Sequence, residues 1–368
     1  MISLDGLRPD FYLDRSFGAN TLLRLRETGA YCRGVEPVYP ALTYPNHTTL
    51  VTGVLPAEHG IISNLRFSAE TGPLRDWYWE EAWIRVPTLW QLATQRGQKV
   101  ALFRWPATMG ARCEWVDPEW FSPEHEAVFS RGEQDRQVAL AASRLIRENS
   151  PDLLLVHLID VDHAQHERGR DSPLLGESLQ AADRALGHIV DSLDLTQTRL
   201  MVVGDHGFTN FTQLFRINRF LQDEGWLALT GAWRAVAHVD GGIAAIYVRD
   251  PIDQERVLRT LEKFQGRAFQ ILGQEKLREL GAFPGAACSL DPLQGISLKG
   301  GDGPLWERLD QTHGRHGNNQ DPEMLAGALF AGPGISPGDH GFLKMQELAE
   351  RAANWIDLEF PDKGRSSS

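Results

Sequence analysis

Four short stretches of the chain put acids or a hydroxyl beside imidazoles or an expected helix start. They are Asp5-Gly6, Thr43-Tyr44-Pro45-Asn46, Asp160-Val161-Asp162-His163 with His166, and Asp205-His206-Gly207. A fifth, His313 with His316, comes late. Carboxylates and imidazoles gathered at one place repel or must be desolvated unless a cation compensates them, and a pair of metal ions would do so. Thr43 stands where an extended segment ends at Pro40 and a helix is expected from about Pro45, since proline suits the first helical position. Unpaired N–H groups and the helix dipole favour negative charge there, so a hydroxyl can lose its proton more easily and a phosphoryl group can dock. Two readings stand side by side at this point. Thr43 is an ordinary N-cap, or it is a nucleophile. Asp5 is likewise a cap or a ligand, and histidines in Gly-rich turns are solvated or functional.

The elements that must position these residues alternate strand, loop and helix. Residues 1–4 read as the end of a buried strand, 152–159 as a nearly continuous apolar strand and 198–203 as another, each followed at once by acidic residues. Strands covered on both faces look like this. Helices are expected at 20–28, 45–52, 88–96, 134–149, 174–193 and 345–355, with further strands at 35–39, 99–103 and 326–331. Residues 55–64 read as a loop and 110–130 as irregular. Ligands of a mostly parallel α/β sheet gather at the carboxyl ends of its strands, which is where these acids fall. Residues 209–312 change character, with strands at 235–238 and 242–248, a helix at 254–264 and Gly/Pro-rich turns. The expected organisation is therefore a discontinuous catalytic α/β core, 1–208 and 313–360, with an inserted α+β subdomain over 209–312 and a disordered tail over 361–368.

The composition narrows the function classes. Thirty-seven Lys and Arg against 49 Asp and Glu give a formal charge of −12, the wrong sign for a nucleic-acid scaffold as partner. No run approaches the roughly 20 apolar residues of a membrane span. The three cysteines, Cys32, Cys113 and Cys288, form no CxxC pair, which argues against a thiolate zinc site. No basic and apolar lead precedes Asp5, so the chain as it stands carries no signal peptide. It reads as cytoplasmic, or as periplasmic or secreted if a leader lies upstream.

Taken in order, Asp5-Gly6, Thr43-Tyr44-Pro45-Asn46, Thr52-Gly53, His59-Gly60-Ile61, Asn64, Trp105-Pro106, Asp162 with His166 and Gly169, Asp205-His206-Gly207 and His316-Gly317 resemble one family over roughly residues 1–335. It is the nucleotide pyrophosphatase/phosphodiesterase (type I phosphodiesterase) family of the alkaline phosphatase superfamily. The resemblance implies an alkaline-phosphatase-like sheet, two Zn²⁺ per chain and a covalent phospho-threonine. It makes Thr43 the nucleophile and gives Asp5, Asp205 and His206 to the zinc that also binds Thr43. Asp162, His166 and His316 go to the second zinc. Asn64, with the Thr43 N–H, would hold a phosphoryl oxygen, and Tyr44 would meet the substrate as an aromatic surface. The resemblance also prefers Asp162 and His166 over Asp160 and His163, and His316 over His313. His47 and His59 read as structural, and the aromatics of 77–90 as core and lid packing. Carboxylate and imidazole ligands suit Zn²⁺, and two metals about 3.5–4 Å apart can stabilise both the attacking and the leaving oxygen of an in-line displacement.

The implied reaction is hydrolysis of a phosphodiester or pyrophosphate bond in a small phosphodiester, nucleotide or phosphonate substrate. A phosphonoacetate hydrolase or phosphomonoesterase would use the same metals. A sulfatase would need Cys or Ser in a Cys/Ser-x-Pro-x-Arg motif, whereas Thr43 precedes Tyr44-Pro45. A binding protein without activity would be expected to have lost a ligand or the nucleophile, and none is missing. Departures from the family pattern, His163-Ala164-Gln165 beside Asp162, Asn318-Asn319 after His316 and the stretch 107–130, fall on the substrate side.

Overall fold

The computed structural model describes residues 1–119, 133–319 and 321–361. The short apolar runs Ile2–Leu4, Leu153–Leu158 and Leu200–Val203 lie side by side and parallel in an eight-stranded sheet. From edge to edge its order is Gly338–Asp339, Ala30–Tyr31, Ala328–Ala331, Leu200–Val203, Ile2–Leu4, Leu153–Leu158, Val100–Phe103 and Trp115–Asp117. Only Ala328–Ala331 runs antiparallel to its neighbours among these described strands. The sheet is thus mostly parallel, as expected.

Period-2 alternation sends each strand's side chains to two separate cores. Ile2, Leu4, Val156 and Leu158 pack on one face with Leu22 and Leu25 of the helix Asn20–Thr28 and with Leu179 and Leu186 of Leu175–Val190. Leu153, Leu155, Met201 and Val203 pack on the other with Leu50 and Val51 of Thr43–Thr52, Trp90 of Leu89–Gln95 and Leu348 of Met345–Trp355. Helices therefore cover both faces.

Residues 209–315 build two further sheets. One has three strands, Gly295–Lys299, Thr209–Arg216 and Trp306–Arg315. The other has four, Ala235–Asp240, Ile243–Val248, Cys288–Pro292 and Phe269–Gly273. The strand Trp306–Arg315 spans residue 312, with a bulge in its pairing between Arg308 and His313, and delivers the chain directly to His316. Residues 65–77 form a hairpin, Leu65–Ser68 with Gly72–Trp77. Some details differ from the sequence reading: the strand expected at 35–39 is the shorter Gly34–Glu36. Pro56–His59 is a short helix inside the expected loop, started by Pro56 and ended at left-handed Gly60. The stretch expected to be irregular contains the edge strand Trp115–Asp117, held by parallel pairing to Val100–Phe103. The rest of that stretch from 120 to 130, and the expected tail from 362 to 368, lie outside the described residues. Among the described residues no helix is long and apolar enough to cross a membrane.

Candidate active site

The helix carrying Thr43 begins earlier than expected. It spans Thr43–Thr52 and follows extended Leu42, so Thr43 is its first residue and Pro45 its third. This corrects both the cap reading of Thr43 and the placement of Pro45. The physical reason is Asn46. Its carboxamide oxygen accepts from Val38 N at 2.8 Å, and its nitrogen donates to Leu42 O at 2.9 Å and Pro40 O at 3.3 Å. The incoming segment is clamped from inside the helix, and no threonine cap is needed. The first turn's donors can then be accounted for. Pro45 has no N–H, Tyr44 N donates to Asn64 Oδ1 at 2.9 Å, and Thr43 N donates to no described residue. One open N–H, beside the Thr43 hydroxyl, faces the site.

The carboxyl ends of three adjacent strands supply the acids. Asp5 N donates to Leu158 O at 2.8 Å, and Gly6 N donates to Asp205 Oδ1 at 3.0 Å, so the turns after these strands are tied together. Asp162 and His166 project from the helix Asp160–Arg168, whose first N–H groups (Ile159, Asp160) are received by the Asp135 carboxylate. Thr43 Oγ1 lies 3.4 Å from His206 Nε2. His206 Nε2 is 3.1 Å from Asp205 Oδ2 and 3.4 Å from Asp5 Oδ1, and its ring stacks on His316 at 3.7 Å. His166 Nε2 lies 3.2 Å from His316 Nε2 and 3.5 Å from Asp162 Oδ1. Asp5, Asp205 and His206 form one tight group of potential ligand atoms. Asp162, His206 and His316 form a second, so His206 touches both, and His166 stands on the rim of the second.

The tautomers follow from the partners. Nδ1 of His166, His206 and His316 faces the backbone oxygens of Gly314, Gly207 and Ala41. A carbonyl only accepts, so each Nδ1 carries the proton and each Nε2 presents a bare lone pair to the same centre. Burial and the neighbouring His206 and His166 hold His316 well below its ordinary pKa, which keeps it neutral. Asp5 Oδ1, Asp162 Oδ1 and Asp205 Oδ2 are buried and accept no hydrogen bond from the described residues. Burial, and then repulsion from Asp205 and Asp162, push the Asp5 carboxyl well up. Burial pushes Asp162 up to about 6. Lone pairs of both kinds converge with nothing positive between them, and such a donor set fits divalent cations.

His157 was not singled out in the sequence. Its Nε2 donates to Asp5 Oδ2 at 3.0 Å and its Nδ1 to Arg104 O at 3.1 Å, with Glu119 Oε1 at 3.4 Å. With Asp5 ionised both bonded partners only accept, and His157 then carries both ring protons. Burial opposes that charge, but Glu119 and Asp5 outweigh it and raise the pKa well above the ordinary value. A histidine inside the apolar run 152–159 was the available signal. Ser3, opposite His157 in register, bonds His47 Nε2 at 2.8 Å. His47 Nδ1 donates to Thr43 O at 2.8 Å, and burial lowers its pKa to about 4. His59 Nδ1 accepts from Ile61 N at 3.1 Å, and its Nε2 lies 3.2 Å from Thr49 Oγ1.

Tyr44 is 1% exposed. Its ring meets Trp77 and Trp79 edge-on at 5.4 and 6.1 Å, and its buried hydroxyl neighbours Glu119 without a well-formed hydrogen bond among the described residues. Trp77 and Trp79 stack on each other and are half-buried, so they cover the Tyr44 ring.

The fold carrying this site is alkaline-phosphatase-like. It matches the structure of murine ectonucleotide pyrophosphatase/phosphodiesterase 5 with a TM-score of 0.77 at 20% identity, covering 98% of this chain and 95% of that one. The same murine protein in an inactive threonine-to-alanine form, in complex with AMP, matches with a TM-score of 0.76. The family model of type I phosphodiesterase / nucleotide pyrophosphatase matches residues 1–280, and the chain belongs to that family. An uncharacterised pyrophosphatase/phosphodiesterase of Schizosaccharomyces pombe is 29% identical over 283 residues, 72% of this chain and 54% of that protein. Human ectonucleotide pyrophosphatase/phosphodiesterase family member 1 is 26% identical over 61% of this chain and 25% of its own length. The chain thus spans about half or less of the length of these curated relatives.

Proposed function

We propose that this protein hydrolyses phosphodiester or pyrophosphate bonds of small substrates through a covalent phospho-threonine on Thr43. The observation that carries the reading is the gathering, around the His206 that neighbours Thr43 Oγ1, of three bare Nε2 lone pairs and three unbonded carboxylate oxygens. Asp5, Asp205, His206 and the Thr43 hydroxyl would hold one Zn²⁺, and Asp162, His166 and His316 a second. When bound, the pair supplies a lowered Thr43 pKa and charge stabilisation for the attacking and leaving oxygens. The chain's own residues do the rest. The helix start aims Thr43 Oγ1 at phosphorus, and the P–O bond to the leaving group breaks as the Thr43–phosphorus bond forms. The Asn64 Nδ2 and the Thr43 N–H donate to a non-bridging oxygen whose charge shifts in the transition state. Water then cleaves the phospho-threonine. We read residues 1–208 with 313–360 as the catalytic core and 209–312 as an insert that closes one side of the site. A nucleotide is the favoured substrate class. The Trp77–Trp79 wall against Tyr44, the neighbour of Thr43, and the AMP complex of the murine relative support it.

The test is a panel of nucleotide pyrophosphates, linear and cyclic diesters, monoesters and phosphonoacetate, run with and without chelation alongside metal analysis. About two zinc per chain and chelator-sensitive turnover of bis-p-nitrophenyl phosphate are expected. A preference for p-nitrophenyl phosphate or phosphonoacetate would replace the diesterase reading. Full activity in metal-free protein would end it.

A further inference from the structure

The turn between the strands Ala235–Asp240 and Ile243–Val248 is Gly241-Gly242, far along the chain from Thr43 and outside the sequence-derived site. Both glycines are left-handed, at φ 55° and 95°, as a two-residue hairpin turn with matching twist requires. A Cβ on Gly241 would lie 2.2 Å from Leu42 Cδ2 and 3.4 Å from His316 O. The hairpin tip is therefore wedged between the residue preceding Thr43 and the backbone of His316. Asp240, the last strand residue before the turn, faces the Asn64 loop. Its Oδ2 accepts from Ser63 Oγ at 2.7 Å, Asn64 N at 2.9 Å and Leu65 N at 3.1 Å. Asn64 in turn accepts from Tyr44 N through Oδ1, which leaves its Nδ2 directed away from that bond.

We infer that Asp240 is a positioning residue for the phosphoryl-transfer site, fixing the Asn64 carboxamide relative to Thr43 from the tip of the inserted hairpin; this rests on the function proposed above. Three donors on one carboxylate oxygen make a charge-assisted clamp, and two of them are the main-chain N–H groups that set the orientation of Asn64. A neutral carboxamide can offer one acceptor in the same place but not the charge. Removing the side chain leaves two N–H groups and a hydroxyl unpaired, so the loop must find another arrangement. Asn64 then loses its place beside the open Thr43 N–H, while the residues at the sheet edge stay where they are.

A purely structural fastener would behave differently from a residue acting through Asn64, and a double-mutant cycle separates them. Turnover of bis-p-nitrophenyl phosphate is to be measured for the wild type, Asp240→Ala, Asp240→Asn, Asn64→Ala and the double variant Asn64→Ala/Asp240→Ala. Asp240→Ala should lower kcat about 10- to 100-fold with KM changed less than about threefold, and Asp240→Asn should lose less. In the Asn64→Ala background the further loss should be under about twofold. Amide exchange at Asn64 and Leu65 reads the clamp without turnover and should quicken in Asp240→Asn, the variant to use if Asp240→Ala does not fold. Losses that multiply in the double variant, or unchanged exchange at Asn64 and Leu65, overturn the assignment. A wild type that turns over no diester overturns the proposed function. A wild type that turns over the diester while the losses multiply overturns only the role of Asp240.

Discussion

The acid–imidazole edge and the aromatic wall meet at Thr43 but are built by opposite rules. At the edge, Asp5, Asp162 and Asp205 each leave an oxygen buried and unbonded, and the imidazoles aim bare nitrogens at the same centre. Left to itself, that arrangement costs stability. In the wall, Tyr44, Trp77, Trp79, Ile61 and Ile62 close on one another as any apolar cluster does. A region that stores unpaired lone pairs does chemistry with whatever enters it, whereas a region that is already closed selects what enters. Reaction type should therefore reside in the edge and substrate preference in the wall.

The sharpest break of this division is at Thr43. Replacing it with alanine should cut turnover of bis-p-nitrophenyl phosphate by at least about 10⁴-fold, on the scale seen when a covalent nucleophile is removed. The metal content should stay near that of the wild type, because the acids and imidazoles are positioned without the hydroxyl. Retention of more than a few per cent of activity would show that Thr43 is not the nucleophile.

Next in size is His157→Phe. It takes from Asp5 the donor that fixes its Oδ2 and strands Glu119 in the interior. Loss of such an outer partner lowers metal affinity about 10- to 100-fold. Chelator titration with metal analysis should show that shift. Binding as tight as the wild type would mean that Asp5 holds its orientation without His157.

The edge was legible in the sequence because each of its parts is local. An acid directly after a buried strand lands at the sheet's carboxyl edge whatever the rest of the chain does, which placed Asp5 and Asp205, whereas choosing Asp162 over Asp160 took the family resemblance as well. What was missed depends on residues brought together from a distance. His157 is read correctly only once Asp5 lies across the strand pair and Glu119 beyond it. Asp240 matters only because the hairpin tip reaches Ser63, Asn64 and Leu65. The start of the Thr43 helix was misplaced for a related reason. A general preference for proline at the first position lost to the Asn46 clamp, which no propensity encodes. Tyr44 was placed beside Thr43, but its burial comes from Trp77 and Trp79 on a separate hairpin strand and the loop beyond.

Histidines away from the edge give a smaller test. Burial lowers His59 to about 3, and its Nδ1 accepts from Ile61 N, so it is neutral in the folded state. The unfolded chain takes up that proton near pH 6.5, and the native state does not until pH nears 3. Stability is complete above about pH 6.5 and falls as pH drops below it, by up to about 1.4 kcal/mol per unit for this one group. In His59→Gln the slope of unfolding free energy against pH between 6 and 5 should be shallower by that amount. An unchanged slope would show that His59 is protonated in the native protein.

The smallest expected effect belongs to Tyr44→Phe, and it bears most directly on the wall. The Tyr44 hydroxyl is buried beside the Glu119 carboxylate and makes no well-formed hydrogen bond among the described residues, so its removal costs little in the folded state. The ring, which packs against Trp77 and Trp79, is unchanged by the substitution. Thermal stability should equal or exceed that of the wild type, and kcat/KM for a nucleotide diester should stay within about twofold, under about 0.5 kcal/mol in transition-state terms. If Tyr44 instead reached the substrate through its hydroxyl, its loss would leave a substrate group unpaired and cost at least about tenfold. A tenfold loss confined to nucleotide substrates, with bis-p-nitrophenyl phosphate unaffected, would return Tyr44 to the substrate side. It would also mean that Trp77 and Trp79 open when a base binds.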